Sequence, residues 1–253
     1  MRLETIFGLS GRTALVTGSS RGIGAAIAMG LAGAGARVVV HGSLTCAAAG
    51  TLERIRTAGG HGVEIDGNLA APGAGRDLVE RIEAIAPLDI LVINASAQVN
   101  SVLADLTRED LSFQIDVNLR STLEMLQAVL PRMAARGWGR VVSIGSINQL
   151  RPKSVVTAYA ATKAAQHNII MSQARDYARQ GVLLNTLAPG LIDTDRNADR
   201  RDADPKAWAA YVRDLNWMQR AGRPEEMVGA AIFLASDACS FMTGETLVLS
   251  GGY

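Results

Sequence analysis

Short apolar runs alternate with helical patterns from one end of the chain to the other, and this alternation limits the possible folds more than any other feature. It is the signature of repeated βαβ units, which bury a parallel sheet between helices. Strands are expected at residues 13–17, 37–41, 61–65, 88–94, 139–146, 182–188 and 245–249. Helices are expected at 22–33, 45–57, 76–85, 108–136, 158–179 and 224–236, with Pro131 as a late kink or cap. Residues 191–217 break the pattern: they are charge-dense, carry Trp208 and Trp217, and read as an inserted lobe or lid. No repeat, low-complexity stretch or long linker divides the rest, so residues 1–253 are expected to form one domain with 191–217 as its lid.

The loop after the first strand carries the first functional signal. Thr17-Gly18-Ser19-Ser20-Arg21-Gly22-Ile23-Gly24 leaves a strand and opens a helix. A diphosphate must approach such a backbone closely, which requires positions without a Cβ, and the helix N-terminus then offers free N–H groups and a positive dipole end. Strand, glycine loop and helix at the head of an alternating chain together predict nucleotide binding. The spacing is T-G-x-x-x-G-x-G rather than G-x-G-x-x-G, and it resembles that of the short-chain dehydrogenase/reductase family in its single-domain form. The resemblance implies an α/β fold, a Rossmann-type doubly wound parallel sheet of about seven strands with helices on both faces.

Tyr159 and Lys163 stand four apart in a helical pattern and therefore project from one face. A phenol alone is a poor base at neutral pH, and an adjacent ammonium favours the phenolate, so the pair can exchange a proton with a substrate oxygen. Ser146 ends the fifth strand, at the carboxyl edge where open α/β sheets bind ligands, and lies 13 residues before Tyr159. The resemblance matches that separation to a substrate-orienting Ser and a catalytic Tyr. It matches Asn118, in Asp-Val-Asn-Leu, to a helix Asn that anchors a proton-relay water. It also implies cofactor contacts from Gly18, Ser20, Arg21, Gly22, Ile23 and Gly24 in the loop, and from Gly42, Ser43, Asn68 and Leu69 around the adenosine. Asn94, Ala95, Ser96, Tyr159, Lys163, Pro189, Gly190, Ile192 and Thr194 are implied on the nicotinamide side. Several positions depart from the family pattern: Ile93 and Ser96 replace an Asn and a Gly on either side of Asn94-Ala95, Asn68 replaces an adenine-binding Asp, and Ser43 stands where NADP-dependent members carry an Arg.

An acid ending the second strand would repel a 2′-phosphate, but that position is Gly42, and Arg21 resembles the basic residue of NADP-dependent members. NADP is therefore favoured, with NAD as the alternative. The expected reaction is hydride transfer between the nicotinamide and a secondary alcohol or ketone. Arg196, Arg200 and Trp217 in the lid, with Asn148 and Gln149 after Ser146, are candidate substrate contacts for a sugar, polyol or sugar acid. The alternatives are a 3-oxoacyl thioester reductase and a non-catalytic dinucleotide-binding regulator. The family resemblance further implies a homotetramer.

Composition closes off other classes. The chain has 253 residues, 48% hydrophobic and 19% charged, which suits a globular domain with a full core. A net charge of +1 argues against nucleic-acid binding. No run approaches the ~20 apolar residues that span a bilayer. The first twelve residues include Glu4 and lack a signal-like apolar core, so a cytoplasmic enzyme with no membrane partner is expected. Cys46 and Cys239 are too few for a disulfide framework or a zinc site, and no metal is expected. Only Lys153, Lys163 and Lys206 are lysines, which makes a lysine at a motif position less readily accidental.

Overall fold

The structure, a computed structural model, describes residues 2–252; Met1 and Tyr253 lie outside them. Seven strands form one fully parallel sheet: β1 (Thr13–Val16), β2 (Arg37–Gly42), β3 (His61–Asp66), β4 (Ile90–Ile93), β5 (Gly139–Ile144), β6 (Val182–Pro189) and β7 (Thr246–Leu249). Their spatial order is β3-β2-β1-β4-β5-β6-β7. The order reverses between β1 and β4, which opens a crevice at their carboxyl ends.

Ten α-helices accompany the sheet: α1 (Leu3–Phe7), α2 (Gly22–Gly33), α3 (Ala49–Thr57), α4 (Ala74–Glu83), α5 (Arg108–Ile115), α6 (Ser121–Arg136), α7 (Thr157–Tyr177), α8 (Ala198–Ala203), α9 (Pro205–Leu215) and α10 (Val228–Ala235). Strand residues alternate between two buried layers. Ile90 and Val92 of β4 join Ile27, Leu31, Leu52, Ile55 and Leu234 from α2, α3 and α10. Leu91 and Ile93 face the other way, onto Leu78, Ile82, Leu126, Val129 and Ile170 from α4, α6 and α7. Both faces are apolar because both are covered, which is why the strands read as continuous apolar runs. None of the described helices is long and apolar enough to cross a membrane.

Three expectations are corrected. The helix expected over 108–136 is interrupted by a π turn at Asp116–Arg120, where side chains take over from the regular ladder: Ser121 Oγ donates to the Val117 carbonyl at 2.7 Å and Thr122 Oγ1 to that of Asn118 at 2.9 Å. Pro131 neither ends nor caps the helix, which runs on to Arg136 and stops at Gly137 with φ +69°. Residues 191–217, expected to break the helical pattern, carry helices at 198–203 and 205–215. Asp204 caps α9 by accepting from the Ala207 amide at 2.9 Å, and Pro205 opens the helix. Helix α1 was not expected, and it buries none of its residues.

Ile90 and Leu91 are both fully buried and serve opposite layers. Each of Ile90→Ala and Leu91→Ala is predicted to lower the unfolding free energy by about 2–5 kcal/mol in urea titrations.

Candidate active site

The crevice at the β1/β4 switch is stitched together by side chains at the strand ends. Thr17 Oγ1 accepts from the Asn94 and Ala95 amides at 2.9 and 3.0 Å, and Asn94 Nδ2 donates to the Thr17 and Gly18 carbonyls at 2.9 and 3.0 Å. Gly18 and Gly22 have φ of +61° and +57°, and a Cβ on Gly18 would stand 2.9 Å from the Ala95 Cα. Glycine is required there by conformation and by space. His41 braces the loop from β2: its Nδ1 accepts from the Gly18 amide at 3.1 Å while Nε2 donates to the Gly67 carbonyl at 2.9 Å. Burial lowers the pKa of this imidazole and keeps it in the neutral form those two bonds require. Nothing in the sequence pattern singled His41 out.

The crevice widens into a cleft of about 790 Å³. Every expected cofactor position lines it: Gly18, Ser20, Arg21, Gly22, Ile23 and Gly24, then Gly42, Ser43, Asn68 and Leu69, then Asn94, Ala95 and Ser96, with Tyr159, Lys163, Pro189, Gly190, Ile192 and Thr194. The fit to a dinucleotide rests on the structure itself: left-handed glycines at 18 and 22, no room for a Cβ at Gly18 or Gly24, and the unpaired N–H groups of the first turn of α2 beside them. Among the described residues no acid from the end of β2 enters the cleft. The nearest carboxylate in the sheet, Asp66 of β3, lies 3.8 Å from Arg81 and accepts from Thr45 at 3.3 Å. Ser96 uses its extra hydroxyl to hold residues 191–217: Arg196 donates to Ser96 Oγ at 2.9 Å, to its carbonyl at 3.2 Å and to Gln98 at 3.4 Å.

Ser146, Tyr159 and Lys163 line the same cleft. β5 ends at Ile144, so Ser146 stands just beyond the strand and caps a short 3-10 turn. Its Oγ accepts from the Asn148 amide at 3.1 Å and from Asn148 Nδ2 at 3.3 Å. With its lone pairs so engaged, the Ser146 hydroxyl is left to donate its proton. Tyr159 is buried, and its hydroxyl bonds no other side chain among the described residues. Lys163 is 1% exposed; its Nζ donates to the Ile144 carbonyl at 2.7 Å and to Gln166 Oε1 at 2.9 Å. Burial, helped by the charge of Arg196, pulls its pKa down from 10.5 to about 7. A donating hydroxyl, a phenol and a buried amine in one cleft can exchange a proton with a carbonyl or alcohol oxygen.

Asn118 does not line the cleft. Its side chain is fully buried and bonds Ala97 in both directions at 2.8 Å, and Thr162 at 3.0 Å. Its carbonyl accepts from Thr122 at 2.9 Å and from Gln166 Nε2 at 3.1 Å. A side chain, Gln166, therefore joins Asn118 to Lys163 where the family resemblance implies a relay water. Gln166 was not singled out in the sequence; its position one helical turn beyond Lys163 is the signal that could have found it.

The expected substrate residues separate. Asn148, Arg196 and Arg200 line the cleft, together with Lys153 and Tyr211, which the sequence reading did not assign to it. Gln149 is corrected: it does not line the cleft, and its Oε1 accepts from the Ser146 amide at 3.1 Å, a capping role. Trp217 is corrected too; it is 83% exposed, packs beside Gly252 and does not line the cleft. Arg201 is held by Asp193 and Asp202 at 2.6 and 2.9 Å.

Comparison with known proteins gives consistent results. Residues 18–253 match the family described as Enoyl-(Acyl carrier protein) reductase. Gluconate 5-dehydrogenase of Gluconobacter oxydans is 36% identical over 257 residues, covering 98% of this chain and 96% of that protein. The crystal structure of 3-oxoacyl (acyl-carrier-protein) reductase from Agrobacterium tumefaciens with NADP bound is 73% identical, with a TM-score of 0.99 over 100% of this chain and 98% of that one. A gluconate 5-dehydrogenase from Burkholderia cenocepacia in complex with NADP and tartrate is 35% identical, with a TM-score of 0.92 over 99% of this chain and 98% of that one.

Two glycines of α2 separate helix propensity from close approach. A Cβ on Gly24 would lie 2.4 Å from both Asn94 Nδ2 and the Gly18 carbonyl, whereas one on Gly33 would meet nothing within 4 Å. Gly33→Ala is predicted to raise the unfolding free energy by up to about 1 kcal/mol. Gly24→Ala is predicted to lower it by about 1–3 kcal/mol in the same denaturation assay.

Proposed function

The chain belongs to the short-chain dehydrogenase/reductase family, and from that membership we propose that it is an NADP-dependent oxidoreductase acting on a hydroxylated acid of the sugar-acid class. The observation that supports the reading most is that Ser146, Tyr159 and buried Lys163 line one cleft with the glycine loop. The nicotinamide, when bound, accepts or supplies the hydride. Ser146 donates a hydrogen bond to the substrate oxygen and fixes its position. Tyr159 gives its proton to that oxygen in reduction and takes one in oxidation. Lys163 stabilises the tyrosinate with its charge, and Gln166 and Asn118 hold Lys163 in place as positioning residues.

Gly18, Ser20, Gly22, Ile23 and Gly24 would hold the diphosphate, and Asn68 and Leu69 the adenine. Arg21 and Ser43 would receive the 2′-phosphate; Arg21 is exposed and lies 3.7 Å from Asp195. Structures of similar proteins with NADP bound support that choice over NAD. The sugar-acid reading draws on the gluconate 5-dehydrogenases among the similar proteins. A 3-oxoacyl thioester is the second reading, favoured by the name of the 73%-identical structure. The intact Ser, Tyr and Lys weigh against a non-catalytic regulator.

Residues 191–217 act as the lid. Asp195, Arg196, Arg200, Tyr211 and Leu215 line the cleft, and Arg196 ties the segment to Ser96. A homotetramer is supported by Leu111, Leu123 and Met171, exposed on the helices that the family packs across its interfaces. Two free cysteines, Cys46 and Cys239, suit the reducing cytoplasm.

Tyr159→Phe is predicted to fold, to bind NADPH within about twofold of wild type, and to lose at least about 100-fold in kcat. Retention of more than about a tenth of the turnover would overturn the assignment. In steady-state assays kcat/KM is predicted to favour NADPH over NADH by about tenfold or more, and Arg21→Ala to shrink that ratio severalfold.

A further inference from the structure

Five cationic side chains line the cleft, Arg21, Lys153, Lys163, Arg196 and Arg200, against a single carboxylate, Asp195. The whole chain carries a net charge of only +1, so the excess is local. Three of the five have evident partners. Arg21 lies beside Asp195, Lys163 is bonded to the Ile144 carbonyl and Gln166, and Arg196 is bonded to Ser96 and Gln98. Lys153 and Arg200 remain. Both converge on the ring of Tyr211, at 4.7 Å for the Lys153 Nζ and 3.9 Å for the Arg200 guanidinium carbon, and Lys153 also donates to the Tyr211 hydroxyl. Trp208, 5.7 Å from Tyr211 and 5.6 Å from Arg200, backs the arrangement.

Among the described residues neither Lys153 nor Arg200 has a carboxylate partner. Two like charges gathered on one neutral ring repel each other, and an anion bound between them would offset that repulsion. The aromatic face orients both cations but leaves their remaining N–H donors free for such an anion. A second, independent feature lies in the same cleft beside Ser146. The Asn148 Oδ1 is buried and has no hydrogen-bond partner, although the Nδ2 of the same amide is bonded to Ser146. An unpaired buried acceptor beside the reacting centre calls for a donor on the ligand, and a hydroxyl supplies one.

We propose that Lys153 and Arg200, gathered on Tyr211, form the carboxylate-binding end of the substrate site, and that Asn148 Oδ1 accepts from a hydroxyl between that carboxylate and the reacting carbon. The ligand class is a polyhydroxylated monocarboxylate. This rests on the reading of the cleft as an oxidoreductase site and adds to it the groups that select an acid over a neutral polyol. A 3-oxoacyl thioester carries no anion next to its reacting carbonyl and would leave both cations unpaired.

The test is equilibrium binding of D-gluconate and of neutral D-glucitol to the enzyme–NADPH complex, which cannot oxidise either compound, in wild type, Lys153→Gln and Arg200→Gln. Wild type is expected to bind gluconate about tenfold or more tightly than glucitol. Each substitution is expected to raise the gluconate Kd about tenfold while leaving the glucitol and NADPH Kd values within about twofold. A melting temperature for each variant establishes that it is folded. Equal affinity for the acid and the polyol, or a gluconate Kd indifferent to both substitutions, overturns the proposal. The underlying function is read separately, from hydride transfer in wild type with NADP and NADPH. Selective gluconate binding without turnover of any alcohol, ketone or thioester would keep the carboxylate site and remove the reaction. Thioester reduction with gluconate binding unmoved by either variant would do the reverse.

Discussion

An amino group held inside the protein organises the cleft. Lys163 is the largest of the fully buried side chains, and no carboxylate bonds it there. Removing an ammonium from water is costly, so its neighbours must supply what water no longer does. The Ile144 carbonyl at the end of β5 and Gln166 one turn further along α7 do so. Gln166 is in turn held by Thr122 at 2.8 Å and by the Asn118 carbonyl, which ties α7 to the π turn and to α6. The Asn118 side chain then fixes Ala97, in the loop after β4. One buried amine thus connects the ends of β4 and β5 with three helical segments, and Tyr159 sits one turn from it on the same helix.

The parallel sheet explains why these parts meet. With every strand running one way, all the carboxyl ends lie on one edge, and the reversal between β1 and β4 leaves a gap that no crossover helix fills. Thr17 and Asn94 tie β1 to β4 at that gap, and the glycine loop, the Ser146 turn and α7 all contribute to the lining of the cleft. Residues 191–217 bring Asp195, Arg196 and Arg200 to the lining of the cleft. The resulting positive field suits a phosphorylated cofactor and an acidic substrate alike.

Much of this is legible in the sequence because it depends on local spacing. Short continuous apolar runs with short connections locate the strands to within a few residues, and T-G-x-x-x-G-x-G, Ser146, Tyr159 and Lys163 lie where chain order places them. What escapes is set by tertiary contact. The π turn at Asp116–Arg120 keeps a helical pattern, so nothing local marks where the ladder breaks. Gln166 and His41 matter through bonds to residues far along the chain, to Asn118 and to Gly18 and Gly67. Lid helix α9 is a different case. Trp208, Tyr211, Val212 and Leu215 repeat at helical spacing behind an Asp204-Pro205 start, a readable signal obscured by the density of charge around it.

The central claim, that a desolvated lysine supports the proton carrier, is open to direct titration because the chain has only Lys153, Lys163 and Lys206. With the lysine side chains isotopically labelled, NMR can follow each amino group across pH, and Lys163→Met identifies its signal. The account predicts one resonance, lost in that variant, with a midpoint near the value of about 7 that burial imposes. Three lysines all titrating near the ordinary value of about 10.4 would contradict it.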